Sequence, residues 1–202
     1  MASDYRVVVV EKLGYGFSDD GDSVRDIDTI LEETREALIE SKIDGPYVLC
    51  PHSMSGIEAL YWVQKYPEEI KAIIGLDMAF SEYYEKMKIN LPMIKFLRVM
   101  INLGVARFVP GLADGEAVKN GTLTDYEKKV YRAVFYNRTL TDAMLSEVKM
   151  IKKNAKKVTE KSIPEIPMLL FVIFLAVCMV LGSCWGAFGI AIPITVYLSV
   201  RL

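Results

Sequence analysis

The chain has 202 residues, enough for about one domain, and a formal net charge of -2. That balance leaves no basic surface for nucleic acid. Cys50, Cys178 and Cys184 form no CxxC pair, which argues against a disulfide framework or a zinc site.

The N-terminal Met1-Ala2-Ser3-Asp4 leads straight into a strand and carries no signal peptide, so a reducing, cytosolic body is expected. Tyr5–Val10 holds four successive valines, and a continuous apolar run predicts a strand buried on both faces. Glu11–Asp19 is a loop containing Gly14 and Gly16. Ile27, Ile30, Leu31, Thr34 and Leu38 recur at helical spacing and predict a helix over about Asp26–Ser41. Asp44-Gly45-Pro46 is a turn. Tyr47–Cys50 is a second strand, and the amphipathic helix that follows runs to about Tyr66, where Pro67 stops it. Ala72–Leu76 is a third strand ending at Asp77. Strands and helices alternating with short connections predict an α/β fold with a parallel sheet and right-handed crossovers. Ligands in such sheets bind at the carboxyl ends of the strands, where Gly14–Asp19, Ser53 and Asp77 fall.

The segment 81–162 reads as helical, with breaks near Asn90, Pro110-Gly111 and Asn120-Gly121 and a helix capped by Thr124. It fits a cap lying over the sheet edge. Met168–Val172 is a candidate further core strand. The organisation expected is therefore a core portion over 1–80, a helical cap over 81–162, a further strand within 163–172 and an apolar tail over 173–200. No charged residue occurs from Ile166 to Val200. The tail has three readings. It is one membrane-spanning helix with the body held on the cytoplasmic side by Lys149–Lys161, a wrong-frame translation after Val172, or a buried core segment of a cytoplasmic protein.

Chemistry concentrates in Cys50-Pro51-His52-Ser53-Met54-Ser55-Gly56. A serine between a strand and a helix is the geometry of a nucleophile elbow, which lifts the hydroxyl out of the sheet and aims the next backbone N–H at a developing oxyanion. His52 is the single histidine of the chain.

From Tyr5 to Phe80 the chain resembles the α/β-hydrolases of the esterase and peptidase type. The resemblance rests on the elbow, on Gly14-Tyr15-Gly16-Phe17-Ser18-Asp19, on Glu58-Ala59-Leu60 with Tyr66-Pro67-Glu68, and on Ala72–Asp77. Pro51 and Ser55 stand where the family's elbow has its outer glycines. The resemblance implies Ser53 as nucleophile, the Met54 N–H as half of an oxyanion hole, Asp77 as a candidate acid, and Gly16, Phe17 and His52 at the substrate pocket. The family's other oxyanion loop, its usual acid and its histidine fall outside the matching residues. His52 does not replace that histidine, because adjacent strand positions face opposite ways. The activity implied is cleavage of a small ester or amide, weak or absent in this chain. The alternative is a non-catalytic, membrane-tethered module that binds a ligand or partner. No metal or organic cofactor is implied.

Overall fold

The computed structural model describes residues 5–21, 24–171 and 195–200. The first strand, β1, covers Tyr5–Val10. Helix α1, Ile27–Glu40, follows, and its apolar stripe Ile27, Ile30, Leu31, Thr34 and Leu38 is buried. Its N-terminus is satisfied by Asp26, whose carboxylate accepts from the Thr29 N–H.

β2 (Tyr47–Cys50) is buried throughout, and the two-residue β3 (His52–Ser53) continues its line beyond Pro51. Both run parallel to β4, Ile70–Met78, with Leu49 opposite Ile73 and His52 opposite Leu76. Helix α2, Ser55–Lys65, crosses back between them, and Pro67 opens a 3-10 turn instead of continuing it. β5, Met168–Phe171, pairs parallel to β4 on its other side. The last strand, β6 (Thr195–Val200), lies between β1 and β2 and is antiparallel to both.

The parallel sheet expected is present. Parallel pairing holds over β2, β3, β4 and β5, and the β6 ladders make the whole sheet mixed. β1 is not buried on both faces: Tyr5, Val7 and Val9 share one face of the strand and are exposed, while Val8 and Val10 on the other face pack against the core. β5 joins the sheet beside β4 as the further strand expected there, with its four side chains exposed. The tail expected as a helix over 173–200 contributes β6 at its end, and its residues 173–194 lie outside the described residues. No helix among the described residues is long and apolar enough to cross a membrane.

Segment 81–162 folds as helices α3 (Ser81–Lys86), α4 (Leu91–Asn102), α5 (Glu116–Lys119), α6 (Asp125–Arg138) and α7 (Asp142–Thr159). Thr124 and Glu127 form a reciprocal capping box at the start of α6. The core joins Ile27, Leu31 and Leu38 of α1, Leu60 and Val63 of α2, Leu49 and Ile73 of the sheet, and Ile151 and Ala155 of α7. Each of the leucine, isoleucine and valine side chains contributes roughly 1.5–3 kcal/mol of transfer free energy. Cys50 is buried, and burial pushes its thiol pKa up, away from thiolate reactivity.

Candidate active site

Ser53 sits at a sharp reversal from buried strand to helix. Its φ is 52°, in the left-handed region that a side chain rarely adopts. The turn is held from four directions. Leu76 N–H donates to the Pro51 carbonyl at 2.8 Å, and Ala79 N–H donates to the Ser53 carbonyl at 2.9 Å. The Ser55 hydroxyl accepts from the His52 N–H at 2.9 Å and donates to the His52 carbonyl at 2.8 Å. Gly56 touches the end of β4 so closely that a Cβ there would stand 2.5 Å from the Ala79 carbonyl oxygen. Gly56 thus supplies the close approach of helix to strand, one position later than the glycine in the elbow it resembles. Pro51 is fully buried beneath the turn.

Met54 is the N-cap of α2, so its N–H lies at the positive end of an 11-residue helix. An oxyanion beside Ser53 would be stabilised there. Asp77, also at positive φ (50°), lies near the carboxyl end of β4, where the next residue, Met78, pairs with Ser53. His52 is half-buried in β3.

Two features of the surroundings were not legible in the sequence. The first is Tyr84 of α3, a buried phenol. Burial pushes its pKa up, and a hydrogen bond with Ser53 pulls it back part of the way. With an ordinary value near 10 already, it stays protonated at neutral pH and cannot take the Ser53 proton. The second is a buried polar cluster. The Lys12 ammonium donates to Glu58 and Glu147, each at 2.6 Å, and the Tyr15 hydroxyl donates to Glu147 at 3.0 Å. Burial alone would lower the Lys12 pKa, but the two carboxylates outweigh it and the net direction is up. Burial and Glu147 raise Tyr15, and burial raises Glu58 against the pull of Lys12. The cluster ties the Glu11–Asp19 loop to α2 and α7. Thr141 adds a bond from its hydroxyl to the Gly14 carbonyl at 3.0 Å.

Within that loop Gly14 (φ 81°) and Gly16 (φ 49°) make the turns. Gly16 is packed under Glu11, whose carboxylate accepts from the Phe17 N–H at 3.0 Å. Phe17 is 76% exposed at the surface of the loop. A cavity of about 110 Å³ lies elsewhere, between Arg35, Ile43, Tyr47, Trp62 and Glu69.

No family model matches the chain. The uncharacterised protein YbdG of Bacillus subtilis (strain 168) is 37% identical over 174 residues, which are 84% of this chain and 54% of that protein. An uncharacterised protein of Schizosaccharomyces pombe is 30% identical over 77 residues, 38% of this chain and 14% of its own. Among solved structures, wild-type Cfl2 from Burkholderia cenocepacia matches with a TM-score of 0.59 at 17% identity, over 79% of this chain and 60% of that one. A mutant epoxide hydrolase from Bacillus megaterium, bound to its product, matches at 0.51 and 17% identity, over 79% of this chain and 63% of that one. This is the α/β-hydrolase fold. The chain spans about half the length of YbdG. Within the α/β-hydrolase fold the turn at Ser53 occupies a strand-to-helix junction at the carboxyl end of the sheet, the side on which ligands bind in open α/β sheets.

Proposed function

We propose that this chain carries the nucleophile portion of an α/β-hydrolase-type serine hydrolase site that cleaves a small ester or amide, with little turnover by the chain itself. The observation behind the reading is the geometry of Ser53: a non-glycine residue at positive φ, between a buried strand and the N-terminus of α2. In the step envisaged, Ser53 Oγ attacks the substrate carbonyl and the carbonyl oxygen becomes an oxyanion facing the Met54 N–H. The tetrahedral species then collapses, its bond to the leaving oxygen or nitrogen breaks, and the proton that Ser53 lost passes through solvent to that atom, which departs as alcohol or amine. Water hydrolyses the resulting acyl-serine and returns the hydroxyl. Asp77 stands at the neighbouring strand end as the acid candidate, and His52 lies beside the nucleophile.

The rate is limited by the proton. Ser53 must lose it as the new bond forms, Tyr84 holds its own, and a serine without a positioned base is a weak nucleophile. Sites lacking a triad member retain roughly 10³–10⁴-fold catalysis over water. Millimolar activated acyl ester, incubated for hours, is expected to leave an acyl adduct on Ser53 detectable by intact-mass and peptide mass spectrometry. Ser53→Ala should abolish it. An adduct only at other residues would overturn Ser53 as nucleophile, and labelling by a fluorophosphonate within minutes would overturn the slow rate.

A further inference from the structure

Helix α4 is amphipathic with its apolar side turned outward. Its single buried residue is Ile94. Pro92, Phe96, Val99 and Leu103 follow one another at spacings of four, three and four, so they stack along one side of the helix, the side away from Ile94. Phe96 is 57% exposed and Leu103 69% exposed. The 3-10 turn Val105–Phe108 extends the surface, with Phe108 at 85%. A solvated helix puts charged residues on that side, and a contiguous outward apolar surface of this kind marks a docking site.

Charge decides what docks there. Residues 86–113 contain no Asp or Glu but hold Lys86, Lys88, Lys95, Arg98 and Arg107. Arg98 is engaged with the Asp142 carboxylate at 2.6 and 2.8 Å, which fastens α4 to the start of α7, and Arg107 donates to Asn137 at 3.0 Å. The three lysines remain as a cationic margin on exposed apolar surface. A protein partner of ordinary composition would not select against every carboxylate along such a stretch, whereas an anionic lipid surface does. Apolar side chains that reach the acyl boundary, with lysines at headgroup level, are the features of a helix lying in a membrane interface.

We propose that α4 and the turn after it form an interfacial docking surface for a bilayer containing anionic phospholipid, with Phe96, Leu103 and Phe108 inserted and Lys88 and Lys95 at the headgroups. This surface is separate from the apolar tail, and it holds whether or not Ser53 turns over a substrate.

Vesicle flotation of the full chain tests it. The vesicles are phosphatidylcholine alone, or phosphatidylcholine with roughly one third phosphatidylglycerol, the anionic component that lysines would read. The wild type should float with the anionic vesicles and lose binding as salt rises. The triple variant Phe96→Ser, Leu103→Ser, Phe108→Ser should lose at least about tenfold in partitioning. Lys88→Glu with Lys95→Glu should lose a similar factor on anionic vesicles only. Tyr126→Ser, an exposed aromatic on α6, should bind as wild type. The charge variant touches no packed residue and keeps the test decisive should the triple variant misfold. Binding unchanged in both variants would assign attachment to the tail and overturn the proposal, as would a wild type that binds neither vesicle. A dimer in sedimentation velocity that the triple variant dissolves, with no flotation, would assign the face to a second copy of the chain.

Discussion

At the scale of single residues, the site is a local device surrounded by long-range ones. The Ser53 turn is legible because its requirements are met within a few positions of sequence: a buried strand before it, small residues after it, a helix start. The Lys12–Glu58–Glu147 cluster is not legible, because its members stand 46 and 135 positions apart and each, taken alone, reads as a surface charge. Their worth follows from burial. Lys12 and Glu147 are buried, so removing the ammonium strands two carboxylates out of water. Lys12→Met is therefore expected to cost about 3–5 kcal/mol in urea denaturation. Lys12→Met combined with Glu58→Gln and Glu147→Gln should recover part of that loss. A cost within about 0.5 kcal/mol for the single variant would show that the cluster is hydrated.

At the scale of elements, helix periodicity and capping residues are a sound guide, and the two-faced burial expected of β1 is not. The 3.6-residue pattern of α1 and the Thr124 box are local, so they survive into the structure. Whether a valine run is covered depends on its place in the sheet, which β1 itself does not encode. The outer side of α1 supports a pH prediction. Burial works to raise Asp28, but hydrogen bonds from Lys157, Tyr61 and Lys65 overcome it and hold its pKa at about 2. Glu32 is likewise held at about 2, by Lys65, Tyr66 and Arg35 against burial. Both folded values lie below the unfolded ones of roughly 3.9 and 4.3. Their stabilisation is therefore fully present above about pH 5 and is lost as pH falls toward 2. Both side chains are substantially exposed, so screening limits each to no more than about 1 kcal/mol. In Asp28→Asn with Glu32→Gln, the fall of urea midpoint between about pH 5 and 2 should flatten. An unchanged acid limb would rule these two groups out as its source.

At the scale of the whole molecule, β6 is the element on which the sheet's continuity depends. It pairs with β1 on one side and β2 on the other, so among the described residues β1 is joined to the sheet through it. Leu198→Pro removes an N–H from the middle of that strand, where proline is not tolerated. Amide exchange should then accelerate across Tyr5–Val10 while Ile70–Met78 stays protected by β2 and β5. Protection of β1 unchanged from wild type would show that it is held by something other than β6. By itself the sequence determined the helices of α1, α2 and α6, the strand cores of β2 and β4, and the turn that presents Ser53. These follow from side-chain periodicity, caps and turn chemistry acting over a few residues. Tertiary structure alone decided that an antiparallel strand joins the sheet beside β1, that Tyr84 meets Ser53, that Lys12 is buried between two carboxylates, and that α4 turns its apolar side outward. Those outcomes depend on which surfaces meet across the chain, and free energies of pairing and burial that distant segments share are not written in any one of them.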